Sequence, residues 1–305
     1  MNADRSVPHV PLSAVLMIVG AVLCFTMADA FIKFLTQRYP VPLLLWVRFG
    51  VQTIGTVIWL APTMGTGVFR TRQLKLQVAR GVVMVCSSIC FYSALKWLPL
   101  ADATAINYCT PVLVVLLSVA ILKERMTRPR WAFVMAGFIG MLLIVRPGAS
   151  ILHEAALLAF GAAGFYAAYQ LLTRKLCGED PRVTLFYPAL CGTVMMTVAL
   201  PWLDYHADMP WTHIGLICVV GAISTTAHLL FILAFQRAPA SALTPYTYVQ
   251  LVWAILAGWI IFGQFPDRFA FVGIGIIAAS GLLLAWHERR RRLAVTVVEE
   301  PTVVD

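Results

Sequence analysis

The feature that most constrains this fold is a series of ten apolar segments separated by short connections. They lie near residues 12–35, 41–61, 76–97, 100–122, 130–146, 154–174, 183–203, 211–236, 240–262 and 269–287. A bilayer core about 30 Å thick is crossed by a helix of about 20 apolar residues, and a helix satisfies its own backbone hydrogen bonds in lipid. The sequence therefore predicts an all-α polytopic membrane protein with ten transmembrane helices.

Composition excludes several other classes of protein. Only 12% of the 305 residues are charged, against roughly 25% in soluble chains. The net charge of +9 does not indicate nucleic-acid binding, because the basic residues cluster between apolar runs. The seven cysteines contain no C-x-x-C, and no ATP-binding G-x-x-x-x-G-K-[ST] is present. We expect no cofactor and no metal site. The expected partners are the lipid bilayer and a small-molecule substrate.

The basic residues also predict the orientation of the chain. Most of the 23 lysines and arginines fall in alternate connections, and Arg70, Arg72, Lys75 and Arg80 are counted in one of them. Positive charge favours the cytoplasmic side, so both termini are predicted to be cytoplasmic. The acidic Asp204 and Asp208 then lie outside. After Trp286 we expect a basic anchor followed by a disordered end.

An internal repeat is visible when the sequence is compared with itself. Residues 94–108 align with residues 234–248 at an offset of 140, which superposes Tyr108 on Tyr248, and residues 130–139 align with 268–277 at an offset of 138. Each copy spans five helices, so the second copy enters the membrane from the opposite side. The predicted organisation is two inverted five-helix repeats, 1–147 and 148–288, followed by a cytoplasmic tail, 289–305. Such repeats place a site near the bilayer midplane, between the halves.

The fourth segment carries a polar face and a proline in the middle of an apolar run. Thr104, Asn107, Tyr108 and Pro111 follow helical i, i+3, i+4, i+7 spacing and share one face. Proline leaves the carbonyl of Asn107 without its helical donor, which lipid does not tolerate but a water-filled cavity does. Hydrogen bonding between packed helices is the alternative interpretation.

The ninth segment shows the same combination of proline and polar side chains. It contains Pro245, and its candidate site residues are Tyr248, Gln250 and Trp253. Since both halves have such a face, we interpret both segments as lining a cavity.

Charged side chains inside the apolar segments form a second group of candidates. Asp29 and Lys33 are four residues apart in the first segment, where an ion pair is possible, and Arg48 lies within the second. Even lenient scales assign about 2.5 to 3.5 kcal/mol to such a charge at a helix centre. Asp29 and Arg48 either bind substrate or form a structural ion-pair lock. For Lys33 and Asp102 we favour structural roles, and Asp102 is well placed as a helix N-cap.

Three further polar residues are candidates for the site. His228 lies within the eighth segment, where it either titrates during transport or is a satisfied core histidine. Tyr166 and Gln170 align with Phe25 and Asp29 of the first half and suit a planar or amphipathic solute. Two small residues nearby, Gly161 and Gly164, are expected to permit close helix packing.

The chain resembles the drug/metabolite transporter superfamily, EamA branch. The resemblance covers nearly the whole chain and is carried by ADATAINYCTPVLVVLLSVAILKERM leading into RWAFVMAGFIGMLLIVRPG, with Pro111 and the acidic Glu124. The second half departs from this pattern at Leu251 and Gln264. The family likeness implies a bacterial inner-membrane secondary transporter with a central cavity, often an exporter of amino acids or other metabolites.

Several alternatives remain open for the activity. Riboflavin and S-adenosylmethionine carriers share this type of fourth segment, which leaves uptake of such metabolites as the second hypothesis. Protons are a candidate coupling ion, and the chain is a monomer or a homodimer. A channel is disfavoured because no ring of identical charges or filter loop is present. A membrane enzyme is disfavoured because HEAAL at 153–157 lacks the second histidine of a zinc-protease motif.

Overall fold

The helical prediction is confirmed by the computed structural model. It describes residues 11–122, 128–145, 150–176, 178–203, 209–238 and 240–298, and these ranges contain helices and connections but no strand. Short 3-10 turns follow the second and eighth helices at Gly65–Phe69 and Leu200–Trp202. The α-helices are α1 Leu12–Thr36, α2 Val41–Met64, α3 Leu74–Leu95, α4 Leu100–Asn107, α5 Thr110–Leu122, α6 Arg128–Val145, α7 Ser150–Lys175, α8 Pro181–Ala199, α9 Trp211–Arg237, α10 Ala240–Thr247, α11 Val249–Phe262 and α12 Arg268–Val298.

The helices form the expected ten membrane spans. In the described ranges, nine stretches are long and apolar enough to cross a bilayer, and Trp131–Val145 adds a shorter apolar helix. The fourth span combines α4 with α5, and the ninth contains the end of α10 and α11. Apolar side chains such as Ile54 and Ile260 point outward and are 61% and 75% exposed, as expected for surfaces that face lipid.

Helix packing follows a two-fold pseudosymmetry between the halves. The contact of α1 with α9 is equivalent to that of α7 with α3, while α2 packs on its own equivalent α8. Thr53 and Thr193, which are 140 residues apart, share a hydrogen bond of 2.9 Å. The Tyr108 and Tyr248 rings, at the same offset, have centroids 5.0 Å apart. Residues that touch their own equivalents lie beside the symmetry axis, which confirms two inverted five-helix repeats.

Two equivalent glycines allow close helix contacts between the halves. A Cβ atom at Gly81 would lie 2.5 Å from the Cβ of Cys191, and one at Gly221 would lie 2.5 Å from the Cβ of Val51. Each pair joins one half to the other at matching positions. The prediction for Gly161 and Gly164 was wrong, because nothing lies within 4 Å of a Cβ at either residue.

Both polar spans are interrupted within their apolar length. The first break separates α4 from α5, and the freed carbonyl of Asn107 accepts a hydrogen bond of 2.6 Å from Thr110 Oγ1. The second break lies at Tyr248, between α10 and α11, while Pro245 remains inside α10. The interruptions therefore fall at equivalent positions, although the proline precedes the break in one half and follows it in the other.

The end of the chain differs from the prediction. Helix α12 continues to Val298, so the expected disordered end does not begin directly after the basic run. Residues 289–298 contain no glycine or proline, which permits the helix to continue. The repeat boundaries at 147 and 288 stay predictions. The predictions for Glu124, Asp204, Asp208 and residues 299–305 concern positions outside the described residues.

Candidate substrate-binding site

Asp29 and Arg48 lie in one buried cluster between α1, α2 and α3. Asp29 is 9% exposed and Arg48 is 4% exposed. Tyr92 joins them, since its hydroxyl donates a 3.0 Å hydrogen bond to Asp29 Oδ1 and its ring centroid lies 5.4 Å from the Arg48 guanidinium carbon. The Phe49 ring lies 5.3 Å from the same carbon. The guanidinium therefore lies within cation–π distance of two aromatic rings, which stabilise a desolvated cation.

The hydrogen bonds of Arg48 are incomplete. Its Nε donates to Ser224 Oγ of α9 over 3.2 Å, which links the two halves. Its Nη1 is buried and has no hydrogen-bond partner. A buried donor without a partner costs about 1 to 3 kcal/mol, and more when the group is charged. This donor is the strongest indication that the site accepts another molecule.

Lys33 has a structural role, although not the one expected. It is buried, and its Nζ donates to the Leu95 carbonyl over 3.0 Å and to the Leu98 carbonyl. It therefore binds the carboxyl end of α3 and the connection that follows it, and the ion pair with Asp29 that the spacing permits does not form. Asp102 is not the N-cap of α4, because Pro99 occupies that position and Asp102 lies in the first turn.

His228 lies on α9 one turn after Ser224. Its Nδ1 is 2.8 Å from the Ser224 carbonyl oxygen, and its ring contacts the edge of the Phe25 ring at a centroid distance of 4.8 Å. Because Ser224 also receives the bond from Arg48, His228 belongs to the same cluster. The described contacts agree with a partly satisfied histidine beside the charged residues.

Tyr108 connects the two interrupted spans across the symmetry axis. Its hydroxyl lies 2.6 Å from the Thr247 carbonyl oxygen and 2.9 Å from Gln250 Oε1, and its one proton serves one acceptor at a time. Thr247 ends α10 and Gln250 lies at the start of α11. The hydroxyl therefore binds the interrupted backbone of the opposite half. Pro111 follows in the first turn of α5 and is half-buried.

Three other predicted residues carry buried polar atoms without partners. They are Asn107 Oδ1, Tyr248 Oη and Trp253 Nε1. Asn107 ends α4, Tyr248 occupies the second break, and Trp253 lies one turn further along α11. The unused donors and acceptors thus come from both halves, around the two interruptions.

Tyr166 and Gln170 lie one turn apart on α7, and both are half-buried. Tyr166 stacks on Tyr169, with centroids 5.5 Å apart and ring planes 12° apart. Tyr108 is close enough to Tyr166 and Asp29 to interact with them electrostatically. Tyr166 of α7 therefore lies beside the cluster that contains Asp29 and Arg48, which we call the central cluster.

Arg80 was missed by the sequence analysis, which counted it as a residue of a cytoplasmic connection. It lies in α3 and is 3% exposed. It donates to Thr173 Oγ1 over 2.8 Å, to the Thr184 carbonyl over 2.5 Å and to Tyr169 Oη over 2.6 Å. The available signal was its position within the apolar run 76–97. Unlike Arg48, Arg80 uses its donors to join α3 to α7 and α8.

A cavity of about 180 Å³ lies between α5, α6 and α7 and reaches Cys109 at the first helix break. Its walls are apolar and include Leu113, Trp131 and Phe138, so it does not coincide with the predicted polar cavity. Among the described residues, no group of three or more His, Cys, Asp or Glu side chains is placed to hold a metal ion.

Comparison with known proteins gives consistent matches over most of the chain. The model of the EamA-like transporter family matches residues 12–146 and 153–286. The chain is 26% identical to a riboflavin transporter of Vibrio cholerae serotype O1, over 94% of this chain and 98% of that protein. It is 26% identical to an S-adenosylmethionine uptake transporter of Rickettsia conorii, over 74% of this chain and 76% of that protein.

Two further matches extend the comparison. The chain is 24% identical to a pseudopaline exporter of Pseudomonas aeruginosa, over 90% of this chain and 96% of that protein. One crystal structure of a protein shares the fold with a TM-score of 0.63 at 19% identity, covering 90% of this chain and 98% of that one.

Proposed function

The chain belongs to the EamA-like transporter family, and from that premise we propose that it is a secondary active exporter of amino acids or related metabolites. Family membership and its named relatives make it a multi-pass membrane transporter of a small molecule. The direction of transport and the substrate class belong to the proposal. The proposal also includes a bacterial inner-membrane location with both termini in the cytoplasm. It further assigns the predicted site residues to substrate binding.

The observation that carries the proposal is the set of unused polar atoms between the halves. Arg48, Asn107, Tyr248 and Trp253 each have a buried donor or acceptor without a partner. Helices that stay packed together normally satisfy such atoms, since each buried polar atom without a hydrogen bond costs several kcal/mol in an apolar medium. A pathway that admits water and solute supplies the missing partners. This favours substrate binding over a purely structural interpretation.

Alternating access follows from two equivalent arrangements of the same halves. Two equivalent contacts join the halves at opposite ends of the bundle. Tyr39 Oη lies 2.5 Å from His213 Nδ1, and Glu179, 140 residues after Tyr39, accepts a 2.9 Å hydrogen bond from Thr71. In the proposed cycle, one of these contacts opens while the other stays closed.

A proton gradient is the proposed energy source. The chain has no ATP-binding G-x-x-x-x-G-K-[ST] sequence, so direct ATP hydrolysis by this chain is not expected. Asp29 and His228 are titratable groups that contact residues of the central cluster. They are the proposed proton carriers.

Uptake of a vitamin or nucleoside-like metabolite is the second candidate function. It is supported by the names of the riboflavin and S-adenosylmethionine relatives and by the stacked pair of Tyr166 and Tyr169, a surface suited to a planar ring system. The two candidates share the same cluster and differ in substrate.

Reconstituted transport separates these possibilities. Purified protein is first screened for thermal stabilisation by amino acids, riboflavin and S-adenosylmethionine, because a ligand that favours the folded form raises its stability. The stabilising compounds are then tested in proteoliposomes. Saturable flux that is stimulated by substrate on the opposite side supports a carrier. Non-saturating flux indicates a channel, product formation without flux indicates an enzyme, and the absence of any flux contradicts the proposal.

Two substitutions test the assigned residues. We expect Asp29→Asn and Arg48→Ala to abolish transport while the protein remains folded in the membrane. Arg38→Ala is a matched control, because Arg38 is exposed at the end of α1. Normal transport by both cluster variants would make the charged cluster structural and would contradict the site assignment.

A further inference from the structure

Among the residues that the structure describes, the buried charged side chains are not balanced. Among the side chains described as buried, three are cationic, Lys33, Arg48 and Arg80, and one is anionic, Asp29. A buried ion needs either an opposite charge or a full set of hydrogen bonds. Each of the three cations must therefore meet one of these conditions within the protein or receive its missing partner from another molecule.

Two of the three cations have adequate partners. Lys33 donates to two backbone carbonyls at the end of α3 and lies over the Phe262 ring at 5.5 Å. Arg80 donates from Nε, Nη1 and Nη2 to acceptors on α7 and α8. Neither side chain has a buried nitrogen without a hydrogen-bond partner, so neither requires a ligand.

Arg48 is the exception. Its Nε donates one hydrogen bond to a neutral acceptor, Ser224 Oγ, at 3.2 Å, and its Nη1 is buried without a partner. The carboxylate of Asp29 interacts with Arg48 electrostatically, but it accepts its hydrogen bond from Tyr92. A water molecule at Nη1 would satisfy the donor and still leave the positive charge without a directly bound anion. A carboxylate satisfies both needs.

A second unused atom lies one helical turn away on the same face of α2. Gln52 Oε1 is buried and has no partner, and the residue is 4% exposed. This oxygen accepts an N–H or O–H donor. The pair therefore offers a donor edge to an anion and an acceptor to a neighbouring polar group, within reach of a single small molecule.

We propose that the substrate carries a carboxylate, which the Nη1 edge of Arg48 binds while Gln52 Oε1 accepts a hydrogen bond from the same molecule. This inference rests on the proposed transport function and defines one chemical requirement of its substrate. Lys33 and Arg80 have no part in it. Because a charge-assisted hydrogen bond contributes about 1.5 to 3 kcal/mol, replacing the carboxylate by its amide is expected to weaken binding about 10-fold to 100-fold.

The test uses matched pairs of a carboxylic acid and its primary amide. The set comprises aliphatic acids, aromatic acids and L-amino acids, each with its amide, and dissociation constants come from thermal-shift titrations of the full-length protein in detergent. We expect at least one acid to bind about 10-fold to 100-fold more tightly than its amide. Arg48→Gln should remove this preference, and Arg48→Lys, which keeps the charge but not the planar edge, should retain part of it.

Matched controls separate recognition from general charge effects. Arg38→Gln removes an exposed arginine and should leave the acid preference unchanged. Chloride and inorganic phosphate are titrated at the same ionic strength. Stabilisation by these ions alone, equal binding of every acid and its amide, no binding by any acid, or an acid preference that survives in Arg48→Gln would overturn the inference.

The transport assay distinguishes failure of this inference from failure of the proposed function. Saturable, trans-stimulated flux of a compound without a carboxylate would overturn the carboxylate requirement while leaving the carrier intact. An acid preference in binding without any flux would support the ligand site and contradict the transport proposal.

Discussion

Replacing Arg80 with lysine tests whether this buried guanidinium holds three helices together. Its donors reach Thr173 Oγ1 at 2.8 Å, the Thr184 carbonyl at 2.5 Å and Tyr169 Oη at 2.6 Å. Lysine keeps the buried charge, so the desolvation cost is nearly unchanged, but its single ammonium group does not reach acceptors on α7 and α8 together. With about two bonds lost at about 1 kcal/mol each, we expect the free energy of unfolding to fall by about 2 kcal/mol.

The unfolding of purified protein in mixed detergent and SDS micelles, followed by circular dichroism, measures this loss. Arg72→Lys is the matched control, because the Arg72 side chain is exposed at the start of the same region, and its change should stay within about 0.5 kcal/mol. If Arg80→Lys is as stable as the wild type within that margin, then the Arg80 contacts do not stabilise the bundle and the reasoning is refuted.

Three further predictions concern the packing and contacts of the two halves. Gly81→Leu and Gly221→Leu add side chains at positions where even an added Cβ would lie 2.5 Å from a neighbouring atom. Both should lower the free energy of unfolding by about 1 to 3 kcal/mol in the same assay. Unchanged stability of either variant would contradict the equivalent packing. For the second test, Thr53→Cys and Thr193→Cys are combined in a cysteine-free chain that carries a protease site between the halves. The two cysteines should crosslink under oxidation, because the native hydroxyls are 2.9 Å apart. Separate fragments on a non-reducing gel after cleavage would place the symmetry axis elsewhere. Tyr108→Phe removes a hydroxyl that is hydrogen-bonded to the opposite half. Because such a hydrogen bond contributes about 1 kcal/mol, the apparent substrate affinity in proteoliposome flux should fall about 5-fold. An unchanged affinity would assign this hydroxyl to structure alone.

The fold was largely predictable because lipid imposes one requirement on every span. Twenty or so apolar residues in a row have few alternatives to a transmembrane helix, so the segments follow from hydropathy. The offset between Tyr108 and Tyr248 then identifies two odd-numbered halves, which must be inverted. The structure places these two rings in contact, as expected for residues beside the symmetry axis.

The positions of the helix breaks were only partly predictable. Pro111 removes a donor that Asn107 would use, and the first break falls there. Pro245 gives the same local signal, yet α10 continues past it to Thr247. The second break coincides instead with a tertiary contact, in which the Thr247 carbonyl accepts a hydrogen bond from Tyr108 of the other half. Local sequence contains no information about that partner.

The role of each buried charge was the least predictable part of the site. Arg80 was assigned to a connection by counting positive charges, although its acceptors lie on helices about one hundred residues away in sequence. Lys33 is spaced to pair with Asp29 on α1, but the carbonyls that end α3 are its partners. Helical spacing identifies residues that share a face, whereas partners on other helices depend on how the bundle packs.

In the proposed transporter, the polar face of α2 lines a pathway between the halves, and cysteine accessibility measures whether water reaches it. Gln52→Cys is made in a chain whose seven native cysteines are replaced, and Ile54→Cys, 61% exposed toward lipid, is the control. A membrane-impermeant methanethiosulfonate is applied to intact cells and, separately, to inverted membrane vesicles. We expect Gln52→Cys to react from both sides and Ile54→Cys from neither. Failure of Gln52→Cys to react from either side would show a closed, packed interface and contradict the account.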